Sequence, residues 1–332
     1  MLNKTLIKFF LLYAFLLVLV VLFFPFVFGT FLTTFSIVIF LEPFSVFLCR
    51  KLNFNKNLSN GIVLLFFFSS LTLLLIFLIP SLVKEAATFY EMAAKFFEKK
   101  EWEKLLPYTI SVRLTQLFDI FEPRLLRVLE SVISTVTKIT PQLFTFLFYV
   151  ILGSIYLMYH FKSIRKAVPY AFPRSCRREA ALFLRDVYVQ LRQYIFSISV
   201  VALFVAVSLG LLLWYLGSKY VILLSFWAFV TNYIPIVGVF LELIPLFLMT
   251  FSLGLKASMI LGVGVVIVHA LAFLLFLKLM GGYIRINPVA IIFLIMLFSS
   301  ALGVLGALIA VPFGIVVKIF WMRFLSPALN TR

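Results

Sequence analysis

The stretch YVILLSFWAFVTNYIPIVGVFLELIPLFLMTFS, residues 220–252, decides the fold class, because it holds a single charged side chain, Glu242, among mainly apolar residues. A transmembrane helix needs about 20 consecutive apolar residues, so the stretch is longer than one simple crossing. Pro235, Gly238 and Pro245 interrupt it, and proline and glycine weaken or break helices. The pattern predicts a discontinuous or re-entrant membrane segment.

A second overlong apolar stretch, residues 288–320, has the same character. Its interruptions are Gly303, Gly306, Pro312 and Gly314. An interrupted helix at membrane depth is tolerated where protein packs against the interruption or where it lines a water-filled cavity. In secondary transporters, paired interruptions of this kind form the substrate or ion site. We therefore expect both broken segments to line a transport site. Ser299 and Ser300 could join this lining or could equally bond back to their own helix.

The composition of the whole chain agrees with a membrane protein. Of its 332 residues, 64% are hydrophobic and only 12% are charged, which is too apolar for a soluble surface. The other apolar runs are residues 6–28, 30–49, 61–83, 141–160, 195–216 and 257–277, the first two being separated by a turn at Gly29. With each broken segment counted once, the sequence predicts an all-α polytopic integral membrane protein with about eight transmembrane helices.

The basic residues predict the orientation. The net charge is +17, but Lys and Arg gather in short loops beside the apolar runs, which is typical of cytoplasmic loops and of contact with anionic lipid head groups rather than of nucleic-acid binding. Residues 161–192 carry eight basic and two acidic side chains. We therefore expect this loop and both termini in the cytoplasm. Cys49 and Cys176 lie beside basic loops, so we expect free thiols.

Residues 84–140 differ from the rest, with nine basic and eight acidic side chains. We interpret them as an extramembrane amphipathic helical insert between three membrane helices in residues 1–83 and five membrane segments in residues 141–332. The predicted buried face consists of Phe89, Ala93, Phe96 and Phe97. A coiled-coil-like series consists of Leu125, Leu129, Val132, Val136 and Ile139. It fits an amphipathic helix that packs on its own domain or lies along the membrane interface, or else a seam between subunits.

Only two acidic residues lie inside apolar runs, Glu42 and Glu242. A charged side chain at membrane depth costs several kcal/mol, and protonation would neutralise either carboxylate. Our hypothesis is that Glu242 first, and Glu42 second, bind a proton or cation during transport, the alternative being an acid held by structural hydrogen bonds. His269 lies in another apolar run and is a candidate for the same site or for a packing role. Asn232 and Tyr233 precede the first break and complete the candidate set.

The motifs of membrane enzymes are missing from the sequence. It contains no H-E-x-x-H, G-x-S-x-G or G-x-x-x-x-G-K-[ST] motif, which a metalloprotease, a serine hydrolase and a P-loop ATPase require. Asp119 and Asp186, the only aspartates, lie in loops. We expect a protein that is not an enzyme and that uses no cofactor or bound metal. A channel is harder to exclude, because rings of acidic residues can also select cations.

Four stretches resemble the autoinducer-2 exporter family of bacterial permeases. They are IPIVGVFLELIP at 234–245, LEPFSVFLCRKL at 41–52, YVQLRQY at 188–194 and INPVAIIFLIMLFSSALGVLGALIAVPFGIVV at 286–317. The resemblance implies an eight-span permease of the bacterial inner membrane, assembled as a homo-oligomer, with a helical insert before the fourth span. Some members are held to export autoinducer-2 and others are described as sodium/proton antiporters.

The sequence departs from the family pattern at the candidate site. Val239 stands where the family often has Pro, Glu242 where a small residue is common, and Gln193 where Gly is usual. We expect a secondary transporter that exports a small polar solute such as the quorum-sensing signal, with proton coupling as part of the hypothesis. A sodium (or potassium)/proton antiporter is the alternative, followed by a channel or a membrane scaffold without transport activity.

Overall fold

The computed structural model describes residues 4–100, 140–280 and 287–326, with short pieces between 115 and 131. No β-strand occurs in these residues, so the prediction of an all-α fold is confirmed. The long elements are α1 (Lys4–Phe23), α2 (Pro25–Lys51), α3 (Lys56–Glu98), α4 (Thr140–Ala167), α5 (Arg177–Tyr215), α6 (Val221–Thr231), α7 (Val237–Leu253), α8 (Leu255–Met280) and α9 (Pro288–Phe320). A 3₁₀ turn, Val168–Ala171, follows α4 and a π-turn, Trp321–Leu325, follows α9.

Seven helical segments in the described residues are long and apolar enough to cross a membrane. They are α1 to α5, α8 and the segment Gly306–Leu325. By contrast, the 11 residues of α6 rise only about 16 Å, well short of the bilayer core of about 30 Å. The 17 residues of α7 rise about 25 Å. The chain is a multi-pass membrane protein, and its first broken segment consists of two short helices.

The break between α1 and α2 lies at Phe24, so the predicted turn at Gly29 is wrong. Phe24 has non-helical dihedral angles, φ −131° and ψ 56°, and α2 starts at Pro25. Proline suits the first position of a helix, where its missing N–H leaves no bond unmade. Gly29 lies inside α2, because a single glycine weakens a helix without ending it.

The chain forms two compact units. The first comprises residues 1–69, 146–200 and 276–332. Its core joins α2, α3 and α4 through buried aliphatic side chains, namely Val38, Leu41, Val63, Leu64, Leu157 and Met158. A buried polar chain runs through this core, since Ser45 Oγ donates to Asn60 Oδ1 at 2.5 Å and Asn60 Nδ2 donates to the Met158 carbonyl at 3.3 Å. Cys49 and Cys176 are both free thiols, as predicted.

The second unit comprises residues 70–145 and 201–275. Residues 84–98 continue α3, and Phe89, Ala93, Phe96 and Phe97, which the sequence places on one helix face, are all buried. That residues 84–140 form an extramembrane insert stays a prediction. Tyr220, just before α6, packs edge-on to Phe89 with ring centroids 5.2 Å apart. The series from Leu125 to Ile139 lies outside the described residues.

The start of α6 is held by a side chain from α3. Glu85 Oε2 accepts a hydrogen bond from the Leu223 backbone N–H at 2.8 Å. Tyr220, the residue before α6, provides no side-chain cap of its own. Because the first N–H groups of a helix have no partner within it and favour a nearby negative charge, Glu85 stabilises the entry into α6.

Candidate functional site

The first broken segment is a helical hairpin in which α7 folds back on α6. Trp227 Nε1 donates to the Leu241 carbonyl at 3.0 Å, whereas 14 residues of one straight helix would separate them by about 21 Å. At Gly238 a Cβ atom would lie only 1.9 Å from the Thr231 carbonyl oxygen. The two arms of the hairpin, α6 and α7, therefore approach so closely at Gly238 that only glycine fits there.

The tip of this hairpin is a strained γ-turn. The Val237 N–H donates to the Pro235 carbonyl at 2.8 Å, which places Ile236 in the centre with φ 68° and ψ −61°. This turn is rare, and a β-branched residue with a positive φ is an outlier. Such strain costs on the order of 1–3 kcal/mol and gathers at functional sites.

Three polar side chains meet beside this tip, and all three were predicted as site residues. Glu242 lies on α7 and is only 1% exposed. Its Oε2 accepts a hydrogen bond from Asn232 Nδ2 at 2.7 Å, and its Oε1 lies 3.0 Å from His269 Nε2 on α8. Asn232 Nδ2 also donates to the Ala228 carbonyl at 2.7 Å. We refer to Asn232, Glu242 and His269 as the acid cluster.

The acid cluster can hold a negative charge or a proton. Asn232 and His269 each present a nitrogen to one carboxylate oxygen, and such charge-assisted hydrogen bonds are stronger than neutral ones. The His269 side chain is 17% exposed, against 1% for Glu242. That Glu242 or His269 takes part in proton binding stays a prediction.

The other membrane acid, Glu42, lies in the first unit with partners of its own. Tyr188 Oη donates to Glu42 Oε2, and Arg192 Nε lies 3.6 Å from the same oxygen. Neither of these partners was predicted from the sequence. Their spacing places both side chains on one face of α5, but it does not link that face to Glu42. The coupling role of Glu42 stays a prediction.

The second broken segment also folds back on itself. Gly303 has φ 61° and ψ −140° within α9, a conformation essentially confined to glycine. The rings of Phe298 and Phe313 are 4.8 Å apart, although 15 residues of straight helix would span about 22 Å. A Cβ atom at Gly306 would lie 1.9 Å from the Phe298 carbonyl oxygen. Pro312 lies inside the second arm.

The serines before this bend bond to their own helix. Ser299 Oγ donates to the Met296 carbonyl at 3.1 Å and Ser300 Oγ to the Leu297 carbonyl at 2.8 Å. This is the second of the two predicted alternatives. Whether both broken segments line one transport site stays a prediction.

Three further predicted residues, Tyr233, Pro235 and Gly238, lie in or beside the hairpin tip. Pro235 and Gly238 build the tip, while Tyr233 packs edge-on to Phe229 with centroids 5.4 Å apart. Trp227, which fastens the two arms, was not predicted, because a tryptophan in an apolar run gives no sign that its N–H has a distant acceptor. The described residues contain no group of three His, Cys, Asp or Glu that could hold a metal ion.

Comparison with known proteins places these features in a family. The sequence model of a family described as AI-2E family transporter matches residues 9–325. A Thermotoga maritima protein named "Putative transport protein" is 35% identical over 308 residues, which cover 92% of this chain and 90% of that protein. Bacillus subtilis has two shorter matches. The protein named "Putative transport protein YrrI" is 29% identical over 51% of this chain and 48% of its own length, and the protein named "Putative transport protein YueF" is 30% identical over 46% of this chain and 41% of its own length.

Proposed function

Because the chain belongs to the AI-2E family of transporters, we propose that it is a secondary transporter that moves a small polar solute across the membrane in exchange for protons. The observation that supports this proposal is the acid cluster beside the strained hairpin tip. A carboxylate that is 1% exposed in a membrane protein is costly and marks an ion or proton pathway by default. Autoinducer-2 is the first solute to test.

Proton binding to Glu242 would change the contacts between three elements. As a carboxylate, Glu242 accepts from Asn232 at the tip and faces His269 on α8. As a neutral acid it loses its negative charge, so both hydrogen bonds weaken toward the strength of neutral ones. The hairpin tip and α8 are then less firmly held together. Coupling requires such a difference between the two protonation states. A proton can shift an equilibrium between two conformations only if it binds one conformation more tightly than the other.

The chemistry around Glu242 favours a proton over a metal cation. Hard cations bind sets of six or more oxygens, counting water, whereas both contacts of the Glu242 carboxylate are to nitrogen atoms. A proton needs only the carboxylate and a neighbouring exchange partner, here His269. The experiment must therefore distinguish proton-coupled solute transport from sodium/proton antiport.

The test is proton flux in proteoliposomes that hold a pH-sensitive dye. Autoinducer-2 is added outside the vesicles first, and sodium and potassium salts are added in separate runs. We expect solute-evoked proton movement with the wild type and none with Glu242→Gln, which keeps the size of the side chain but cannot bind the proton. Glu42→Gln, which removes the other membrane acid in the same way, tests the second predicted coupling acid in a parallel run.

Each outcome separates two functions. Flux evoked by sodium or potassium and lost in Glu242→Gln would make the protein a cation/proton antiporter. Solute-evoked flux that survives in folded Glu242→Gln would remove Glu242 from coupling. No response to any addition, from protein shown to be folded, would favour uncoupled permeation or a scaffold role.

The orientation and assembly belong to the same proposal. The basic stretch 161–192 comprises the end of α4, the turn after it and the start of α5. Its excess of basic residues supports a cytoplasmic position by the positive-inside rule, with both termini on that side of a bacterial inner membrane. The prediction of a homo-oligomer stays a prediction.

A further inference from the structure

A long apolar groove lies in the first unit and shares no residue with the acid cluster. It has a volume of about 1040 Å³ and lies among α2, α4 and α5. Its lining is aromatic and aliphatic over most of its length, as at Phe31, Leu152 and Leu191. Along α4 the lining runs from Tyr149 to Arg165, a distance of about 24 Å along the helix axis. The groove is therefore comparable in length to the hydrocarbon core of a bilayer, about 30 Å.

One end of the groove carries a positive charge. Arg165, close to the end of α4, is exposed and lines the groove, and its guanidinium lies 5.2 Å from the centroid of the Tyr188 ring. Among the residues that the structure describes, no carboxylate lies within ion-pair distance of Arg165. The Glu42 carboxylate, which also contacts Tyr188, has Arg192 as its cation. The Arg165 charge is thus left for a partner from outside the chain.

The surroundings add to this charge. Lys162 and Lys166 lie on the same last turns of α4 as Arg165 and are both exposed. The stretch 161–192 holds eight basic residues against two acidic ones. A ligand at this end of the groove therefore meets an excess of cations, which attract anionic lipid head groups by about 1 kcal/mol per basic residue near a membrane surface.

We propose that this groove is a binding site for an anionic phospholipid. An acyl chain lies along the apolar lining, and the phosphate lies at Arg165, whose position Tyr188 fixes by stacking. An apolar tail with a negative head is the one ligand chemistry that matches both parts of the groove. A zwitterionic phospholipid also has a phosphate, but its ammonium group meets the cations of residues 161–192. This site does not depend on the transport proposal, because it uses other residues in the other unit.

The test is native mass spectrometry of the purified full-length protein after titration with phosphatidylglycerol or phosphatidylcholine. We expect the wild type to retain phosphatidylglycerol in preference to phosphatidylcholine. Arg165→Gln should weaken phosphatidylglycerol binding by about fivefold, the loss of one surface cation. Arg174→Gln, which removes a charge from the same basic stretch but not from the groove lining, is the matched control and should lower binding less than Arg165→Gln does.

A second pair of variants tests the apolar part and guards against misfolding of Arg165→Gln. Leu152→Trp replaces an aliphatic side chain of the lining with a bulkier aromatic ring and should lower binding of phosphatidylglycerol. Ile155→Trp changes an exposed residue of α4 outside the lining and should leave binding unchanged. Equal retention of the two lipids, or equal losses for Arg165→Gln and Arg174→Gln, would overturn the proposal. The proposal would also be overturned if the wild type formed an oligomer without bound lipid and only Leu152→Trp dissociated it. A second copy of the chain would then cover the groove.

Discussion

Gly238→Ala tests the close approach of the two arms of the first hairpin. The added Cβ atom would lie 1.9 Å from the Thr231 carbonyl oxygen and 2.6 Å from its carbon. Carbon and oxygen atoms approach to about 3.3–3.6 Å even in close contacts, so the arms must separate by roughly 1.4 Å or more. The obstacle is backbone, which has no rotamer with which to move aside.

The energetic cost follows from what this separation breaks. Overpacking a close contact costs about 1–3 kcal/mol. Moving the arms apart would also stretch the 3.0 Å hydrogen bond from Trp227 to the Leu241 carbonyl beyond bonding distance, and an unpaired buried group costs about 1–3 kcal/mol. Together these two costs give an expected destabilisation of about 2–6 kcal/mol, and we also expect a displaced Asn232.

The assay is thermal unfolding of the purified protein in detergent, followed by the proton-flux measurement. Gly238→Ala should unfold at a lower temperature than the wild type and should lose coupled flux. Gly262→Ala in α8 is the control, since a Cβ atom there meets nothing within 4 Å and alanine favours the helix by about 0.5–1 kcal/mol. A Gly238→Ala protein that unfolds at the wild-type temperature would refute the close packing of the hairpin.

Three further substitutions test the helix bends and the buried polar contacts by the same unfolding assay. Gly303→Ala forces a side chain into φ 61° and ψ −140° and should cost about 1–3 kcal/mol. Trp227→Phe keeps the apolar ring but removes the N–H that reaches the Leu241 carbonyl, so a loss of about 1–3 kcal/mol is expected. Asn60→Ala removes the donor to the Met158 carbonyl and should cost a similar amount. An unchanged unfolding temperature in any of the three would contradict the corresponding contact.

The sequence alone predicted the membrane helices and both bends, because their signals are local. Apolar runs give the membrane helices, and the glycines and prolines mark where a helix cannot continue. Gly238 and Gly306 proved to be more than breakers, since each allows a backbone carbonyl of the opposite arm to pass at the position of a Cβ atom. The break at Phe24 was misplaced to Gly29 because glycine was weighed above the proline that follows Phe24.

The acid cluster was predicted as a set of residue types but not as a geometry. An acid and a histidine in apolar runs are conspicuous, so Glu242 and His269 were found. Their contact joins residues 27 apart in the chain, which only the packing of α7 against α8 determines. Glu42 and Tyr188 are 146 positions apart in the chain, and no local sequence pattern predicts a contact between residues so far apart.

The most direct measurement of the central claim is the protonation state of Glu242 by infrared difference spectroscopy of the reconstituted protein while the external pH is lowered. The account predicts a protonated carboxyl band that appears on acidification in the wild type and in Glu42→Gln, and that is missing in Glu242→Gln. The same band in folded Glu242→Gln would show that another group binds the proton and would contradict the account.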